Sequence, residues 1–214
     1  MTVAKRAAGS SRPAGTEAAE KRAVILDAAV RVFARQGFHT CRVSDIADEA
    51  AVAYGLVYHY FSSKQAILDT LFVECWNVML EAIDQVDASD LTPRQKLGAI
   101  ASFIVDSYCG DPDLMKVVVV EVTRAANTFG RTHWEQIMQA HTRIAKIVER
   151  AQADGSFRPE ADALFAARAF YGLIEQVLTQ WIFACAPVSP DECEHVKREI
   201  VAILCSGLDV RAAS

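Results

Sequence analysis

The sequence predicts an all-α fold of about nine helices, and three observations support that prediction. Apolar residues recur at spacings of three and four along most of the 214 residues, which is the period of an amphipathic helix. Capping residues, prolines and glycines separate these segments at helix-length intervals. The alternating pattern of a strand is scarce. Val117 to Val120 is β-branched, but the caps around it and the length of its segment favour a helix.

The N-terminal part predicts a basic arm followed by one long helix. The first sixteen residues are rich in Ala, Gly, Ser, Lys and Arg. From Glu17 onwards apolar residues fall on one helical face, and Gly37 suits the left-handed residue that ends a helix. The apolar face consists of Ile25, Ala28, Ala29, Val32 and Phe33.

Two short helices and the start of a longer one come next. The apolar spacing from Val43 to Ala50 predicts a short helix, with Thr40 as a cap just upstream. After a break at Ala51-Val52, a second short helix is predicted from about Ala53 to Tyr60. The pair Ser62 and Gln65 has the pattern of a capping box, which predicts a fourth helix that extends to about Val86.

The rest of the chain predicts five further helices, each opened or closed by turn chemistry. At Thr92-Pro93 and at Asp111-Pro112 a proline follows the capping residue, where a missing backbone N–H costs nothing. The predicted starts are Thr92-Pro93, Asp111-Pro112, Thr132, Glu160 and Ser189, and the predicted ends are Gly110, Ala126, Ala153, Cys185 and Leu208.

Charge divides the chain into unlike parts. The net charge is -5, yet residues 1–64 hold nine Lys or Arg against six Asp or Glu, while residues 65–214 are strongly acidic. A basic front on an acidic body is typical of a chain with a segment that faces a polyanion. We therefore predict a basic arm at 1–16, a helix-turn-helix domain at 17–64 and a larger helical domain at 65–214.

Composition excludes several classes of protein. With 52% hydrophobic residues, 10 Gly and 6 Pro, the chain is neither disordered nor collagen-like. No apolar run approaches the roughly 18–20 residues of a membrane span, and the start lacks the pattern of a signal peptide. A soluble, cytoplasmic protein without a membrane partner is expected.

Cysteine and histidine usage predicts no metal, cofactor or catalytic site. Six widely scattered cysteines without a CxxC pair are expected to be reduced, mostly buried thiols. His133 and His141 lie eight residues apart, but ordinary surface or pocket histidines explain them better than metal ligands do. No nucleophile–base pair or phosphate-binding loop is visible.

The segment from Arg42 to Tyr60 has the layout of a helix-turn-helix, whose second helix enters the major groove of DNA. The leading edge, Ala53 to Leu56, includes Gly55, which permits close backbone approach. Tyr58, His59, Tyr60 and Lys64 carry donors suited to phosphate oxygens. An ordinary helical hairpin is the alternative. Three aromatic residues within four positions cannot all point inward from one helix, however, and these are Tyr58, Tyr60 and Phe61.

Three runs of residues together resemble the DNA-binding domain of TetR-family transcriptional regulators. They are Gly37-Phe38-His39-Thr40, Val43-Ser44-Asp45-Ile46-Ala47, and Val52 through Lys64 with Tyr54-Gly55-Leu56-Val57-Tyr58-His59-Tyr60-Phe61 at its centre. The resemblance implies a homodimeric repressor that binds a palindromic operator and releases it when a small molecule enters the C-terminal domain. The DNA-contacting residues that it implies are Thr40, Arg42, Ser44, Tyr54, Gly55, Leu56, Tyr58, His59, Tyr60 and Lys64.

Two positions depart from the family pattern. Ala51 occupies the turn position where the family usually has glycine. Ala53 occupies the N-cap of the recognition helix, where Ser or Thr is usual. Alanine in a left-handed conformation costs about 1–2 kcal/mol, and a missing cap costs about 1 kcal/mol. These changes are expected to weaken the local helix without removing the fold.

The larger domain is predicted to bind an effector and to dimerise. The resemblance implies an interface made by the last two long helices, and apolar residues around these helices are candidates for it: Leu173, Val177, Trp181, Val201, Leu204 and Leu208. A hydrophobic small molecule is the expected effector, and parts of the sequence are similar to regulators of fatty-acid metabolism that respond to acyl-CoA. The candidate pocket residues are Phe103, Met115, Glu121, Arg124, Trp134, Ile137, Met138, Phe170, Tyr171 and Glu175.

Two other functions remain as alternatives at this point. One is an all-α enzyme, and the other is a helical adaptor for protein partners with a vestigial helix-turn-helix. DNA binding whose affinity falls steeply with salt separates both from a regulator.

Overall fold

A computed structural model describes residues 14–124, 134–184 and 187–209. Within these ranges the side chains of residues 14–16 and 121–124 are not described. Within those ranges the chain forms nine α-helices and no strand beyond an isolated bridge between Phe157 and Asp209. The helices are α1 (Ala14–Gln36), α2 (Val43–Glu49), α3 (Tyr54–Tyr60), α4 (Lys64–Asp87), α5 (Pro93–Gly110), α6 (Pro112–Arg124), α7 (Trp134–Ala153), α8 (Ala163–Ala184) and α9 (Pro190–Leu208). The predicted all-α fold is confirmed.

The chain separates into two compact units, one up to Ile67 and the other from Leu68. In the first unit α1 packs on α2, and α2 packs on α3. Ile25, Ile46 and Val57 are completely buried where these helices meet. The first unit is therefore a small three-helix core to which the first turn of α4 is added.

Ion pairs and a left-handed glycine fix the ends of α1 and α2. Gly37 has a φ of 80°, as predicted for the residue that ends α1. The Glu49 carboxylate accepts from Arg31 at 2.8 Å and from Arg35 at 3.0 Å, which ties the end of α2 to α1. These pairs hold the pKa of Glu49 below its ordinary value.

Two predicted caps are displaced. Thr40 does not cap α2, which begins after Arg42, and the Arg42 backbone N–H donates to the Asp45 carboxylate at 2.7 Å. Ser63 rather than Ser62 precedes α4, and its Oγ accepts from the Ala66 N–H at 3.0 Å. At α4 the neighbouring serine thus satisfies a free N–H of the first turn, whereas at α2 the Asp45 carboxylate satisfies the N–H of the N-cap residue.

In the second unit α8 is packed by α5, α6, α7 and α9. Phe170 and Ile174 of α8 are completely buried, and Ile100 of α5 and Ile144 of α7 are each only 1% exposed. The predicted caps Thr92 and Ser189 begin α5 and α9, and each hydroxyl accepts from the backbone N–H three residues on. No helix among the described residues is long and apolar enough to cross a membrane.

Cys109 of α5 and Cys193 of α9 form a disulfide, so the prediction that all cysteines are reduced is wrong for this pair. They lie 84 residues apart in the sequence, and only the packing of α5 against α9 brings them together. Cys41, Cys75 and Cys205 are not part of a disulfide, and Cys185 lies outside the described residues.

Candidate nucleic-acid interface and effector cavity

The turn between α2 and α3 is held by backbone hydrogen bonds and by a strained alanine. The Val52 N–H donates to the Ala47 carbonyl at 3.0 Å, and the Ala51 N–H donates to the Asp48 carbonyl at 3.1 Å. Ala51 has a φ of 54°, the left-handed conformation in which a Cβ is unfavourable. Ala53 stands at the N-cap of α3 and makes no side-chain hydrogen bond. Both expected departures are therefore confirmed in the backbone.

One face of α3 is buried and the other is open. Val57 is completely buried, and Phe61 directly after the helix is 5% exposed. Tyr54 and Tyr58 are 53% and 45% exposed, and Tyr54 donates a hydrogen bond to the Tyr58 hydroxyl at 3.2 Å. The short helix thus packs by one side and presents two phenols on the other.

Gly55 lies between these tyrosines with free space around it. A Cβ added at this position would have no heavy atom within 4 Å. The fold therefore does not need glycine here for steric reasons.

Lys64, in the first turn of α4, is engaged by the loop between α1 and α2. Its ammonium donates to the carbonyl oxygens of Phe38 and Cys41, the latter at 2.7 Å, and lies 4.6 Å from the centre of the Phe38 ring. The His39 carbonyl is 3.5 Å away. The side chain therefore holds this loop, and its predicted contact with DNA phosphates stays a prediction.

The remaining predicted DNA contacts lie in the same unit with differing exposure. Thr40, Arg42, Tyr54, Gly55, Tyr58 and His59 are exposed, whereas Ser44, Leu56, Tyr60 and Lys64 are half-buried. Arg42 lies at the start of α2, and His59 contacts Tyr60 edge to face with ring centres 5.1 Å apart.

A cavity of about 40 Å³ lies within the second unit. Its walls come from α4, α5, α6 and α8, and most of them are apolar. The lining residues are Cys75, Trp76, Met79, Ile104, Met115, Val118, Val119, Tyr171, Ile174, Glu175 and Leu178.

Three of the ten predicted pocket residues, Met115, Tyr171 and Glu175, line this cavity. Phe170 is buried in the core, Phe103 and Ile137 are half-buried elsewhere, and Met138 lines a separate shallow pocket on α7. Trp134 is 55% exposed at the start of α7. Glu121 and Arg124 lie outside the residues whose side chains are described.

Burial dominates the electrostatics of the cavity wall. Burial and the nearby Asp111 raise the pKa of Cys75 to about 11, so its thiol is uncharged at neutral pH. Burial also raises the pKa of Glu175 and that of Tyr171. Behind Tyr171, burial and the charge of Arg168 lower the pKa of His141, whose ring centre is 5.4 Å from that of Tyr171.

Three cavity residues on α4, Cys75, Trp76 and Met79, are absent from the predicted pocket. In the sequence they belong to the apolar face of α4, which is indistinguishable from an ordinary core face. A tryptophan N–H and a thiol on that face are the only signal that could have pointed to a cavity.

A groove of about 660 Å³ runs between α8 and α9 on the surface of the second unit. Leu173, Leu204 and Leu208 of the predicted dimer residues line it, and Val177 and Val201 are half-buried. Trp181 points into its own unit, where it packs on Tyr108 and donates to Glu192 at 3.3 Å. Three exposed apolar side chains of these helices are absent from the predicted interface: Phe165, Phe183 and Ile203, which are 70%, 69% and 61% exposed.

Comparisons with known proteins agree across both units. The family described as bacterial regulatory proteins, tetR family, matches residues 25–71, and the tetracyclin repressor-like C-terminal domain matches residues 93–204. The fatty acid metabolism regulator protein of Bacillus subtilis (strain 168) is 31% identical over 159 residues, which cover 74% of this chain and 81% of that protein. The transcriptional repressor KstR2 of Rhodococcus jostii (strain RHA1) is 25% identical over 88% of this chain and 91% of its own.

Solved structures give the same result. The fatty acid degradation regulator FadR from Bacillus halodurans superposes with a TM-score of 0.80 at 25% identity, covering 89% of this chain and 97% of that one. FadR from Bacillus subtilis, solved in complex with stearoyl-CoA, superposes with a TM-score of 0.78 at 26% identity, covering 86% and 98%.

Proposed function

The chain belongs to the TetR family of bacterial transcriptional regulators, and on that premise we propose that it is a homodimeric repressor that releases a palindromic operator when a long-chain acyl-CoA binds. It is a DNA-binding regulator rather than an enzyme, since its homologues are transcriptional regulators. Regulators of this family bind operator DNA and small ligands, typically as dimers. The operator, the effector and the assembly of this chain are the parts proposed.

The single observation that carries the DNA-binding proposal is the division of α3 into a buried and an open face. Val57 and Phe61 anchor the helix, while Tyr54 and Tyr58 remain exposed at its leading side. A helix held in this way presents its first residues to base edges in the major groove. We assign base contacts to Tyr54 and Gly55, and contacts with the phosphate backbone to Thr40, Tyr58, Tyr60 and Lys64. Such a protein acts where the chromosome is, in the cytoplasm.

The second copy is proposed to cover the groove between α8 and α9. Phe165 and Ile203 line this groove and are largely exposed in the single chain. Exposed aromatic and branched side chains on adjacent helices are the usual core of a protein interface. A four-helix contact between α8 and α9 of each copy buries them.

The acyl-CoA proposal draws on the relatives and on the apolar cavity. The similar proteins include regulators of fatty-acid metabolism, one of them solved with stearoyl-CoA. Met79 and Met115 line the cavity, and methionine side chains adjust readily to let an apolar ligand in. A long acyl chain requires such widening of a cavity of about 40 Å³.

The proposed switch acts through α4. This helix begins at Lys64, which holds the α1–α2 loop, and also carries Cys75, Trp76 and Met79 in the cavity wall. A ligand that widens the cavity displaces α4 and thereby changes the spacing of two recognition helices, which must lie about 34–36 Å apart to read successive major grooves. The ligand shifts the equilibrium only if it binds the wide-spaced state more tightly.

A titration of the purified protein with an operator obtained by selection from random DNA tests the proposal. We expect a palindromic consensus, two chains per site and an affinity that falls steeply with salt. Stearoyl-CoA should weaken operator binding, whereas free coenzyme A at the same concentration should not. Unchanged operator affinity with stearoyl-CoA would refute the effector class, and a single chain per site would refute the dimer.

A further inference from the structure

The cavity wall contains polar groups that find no partner among the described residues. Glu175 is the only carboxylate in the lining, and it makes no ion pair or hydrogen bond with the part of the chain described. Burial in an apolar wall disfavours an unpaired charge of this kind. Glu175 is therefore available to a group that a ligand supplies.

Trp76 provides an unpaired donor in the same wall. Its side chain is 3% exposed, and its indole N–H has no hydrogen-bond partner among the described residues. The ring is fixed between Phe72 and Tyr171, at 5.5 and 6.0 Å between ring centres. A buried N–H without a partner destabilises the fold, so native structures keep few of them.

The unpaired groups are concentrated around Tyr171. Of the four buried side-chain atoms without a partner in the described ranges, one is the Trp76 indole nitrogen and two are the ring nitrogens of His141. Trp76 and His141 both contact the ring of Tyr171. This part of the wall thus has a specific shortage of hydrogen-bond partners, whereas the core around it is apolar.

We propose that this cavity selects an effector with a hydroxyl group on an otherwise apolar body. The hydroxyl oxygen accepts from the Trp76 indole N–H, and the hydroxyl hydrogen is donated to the Glu175 carboxylate. The inference rests on the proposed function, in which this cavity is the effector site, and it adds the polar group that the effector carries.

Other ligand groups match the wall less well. A methylene leaves both Trp76 and Glu175 unpaired. A carbonyl accepts from Trp76 but has no hydrogen to donate to the Glu175 carboxyl oxygens. An ammonium pairs with Glu175 but leaves the Trp76 N–H without an acceptor. A hydroxyl is both donor and acceptor, so it satisfies both residues.

Four ring compounds of matched size test the proposal on the full-length protein: cyclohexanol, cyclohexane, cyclohexanone and cyclohexylamine. Binding is measured by calorimetry. A purely apolar cavity would favour cyclohexane, because a hydroxyl is costly to remove from water. We expect cyclohexanol to bind about tenfold more tightly than cyclohexane, as the new hydrogen bonds require.

Two variants and a control identify the residues responsible. Trp76→Phe should weaken the binding of cyclohexanol about tenfold and leave the binding of cyclohexane nearly unchanged. Glu175→Gln should narrow the difference in affinity between cyclohexanol and cyclohexanone, because the glutamine amide N–H can donate to the ketone oxygen. Val78→Ala, at an exposed position of α4 outside the cavity lining, should keep the wild-type order of the four ligands.

Equal or tighter binding of cyclohexane, or tightest binding of cyclohexylamine, would overturn the proposal, as would failure of all four to bind. Release of the operator by stearoyl-CoA is measured separately. If stearoyl-CoA releases the operator but cyclohexanol binds no more tightly than cyclohexane, this inference alone is overturned. If cyclohexanol binds more tightly but stearoyl-CoA does not release the operator, only the proposed acyl-CoA effector is overturned.

Discussion

The ammonium of Lys64 donates a hydrogen bond to the carbonyl oxygen of Cys41 at 2.7 Å, across 23 residues of sequence. The Phe38 carbonyl accepts from the same ammonium. A single side chain at the start of α4 therefore satisfies backbone acceptors in the loop between α1 and α2. Lys64 stabilises the loop that positions the DNA-binding helices, whatever else it contacts.

Replacing Lys64 by Met should destabilise the N-terminal unit. The change keeps most of the aliphatic stem and removes the charged donor, so partly buried carbonyl oxygens lose their partner. Hydrogen bonds to charged groups contribute about 1.5–3 kcal/mol, and we expect a loss of that order in the free energy of unfolding. Chemical denaturation and amide exchange at Gly37 to Cys41 measure it.

Lys146→Met is the matched control, because Lys146 is exposed on α7. It should leave the unfolding midpoint unchanged. If Lys64→Met also leaves the midpoint unchanged but lowers the salt dependence of DNA binding by about one ion, then Lys64 acts on phosphates and the structural role is wrong.

Replacing Ala51 by Gly should stabilise the same unit. Ala51 is held at a φ of 54°, where a Cβ costs about 1–2 kcal/mol, so glycine should recover about 1 kcal/mol after its larger unfolded-state entropy is counted. The adjacent Ala50 has a φ of -78°, and Ala50→Gly should instead destabilise. Thermal unfolding of the two variants in parallel measures the difference, and a lower melting temperature for Ala51→Gly would contradict it.

The sequence predicted those features that are set locally. Helix periodicity fixes which residues face inward, and the two alanines of the turn stand out because the motif around them is complete. The starts of α2 and α4 lie one or two residues from the predicted caps: at α4 the adjacent Ser63 accepts from a first-turn N–H, and at α2 the Asp45 carboxylate accepts from the Arg42 N–H.

Features that depend on tertiary packing were not predictable in the same way. The Cys109–Cys193 disulfide requires α5 and α9 to be neighbours, and nothing in the sequence between two cysteines separated by 84 positions indicates that. The cavity wall on α4 has the same periodicity as a packed core. Only the arrangement of four helices distinguishes a cavity from a core at Trp76.

Replacing Gly55 by Ala should separate folding from DNA binding. The added Cβ meets no atom within 4 Å, and alanine favours a helix over glycine by about 0.5–1 kcal/mol, so stability should stay equal or rise. If α3 approaches base edges at Gly55, operator affinity should nevertheless fall about tenfold. Denaturation and DNA titration of one preparation give both values, and unchanged affinity would remove Gly55 from the interface.

Replacing Tyr54 by Ala should relax sequence preference. Tyr54 is 53% exposed, so its loss costs little stability, but a base contact contributes about 1–3 kcal/mol of discrimination. We expect the ratio of operator to random-DNA affinity to fall at least fivefold, while random-DNA affinity stays the same. Val24→Ala, at an exposed apolar position of α1, is the control and should keep the ratio. A uniform loss on both DNAs would assign Tyr54 to the phosphate backbone.

Replacing His141 by Phe should flatten the dependence of stability on pH. Burial, and then the charge of Arg168, hold the pKa of His141 below its ordinary value of 6.5. The unfolded chain therefore binds a proton that the folded chain refuses, and stability falls as pH drops below about 6.5. Phe removes that proton uptake and two unpaired ring nitrogens, so stability at pH 7 should be equal or higher. Glu175, whose pKa is raised, acts in the opposite direction, but it is present in both the wild type and the variant.

Urea unfolding of each protein at pH 7 and pH 5.5 measures how steeply the free energy of unfolding depends on pH. His195→Phe, at an exposed histidine, is the control and should keep the wild-type dependence. An equally steep loss of stability in His141→Phe would show that another group takes up the proton.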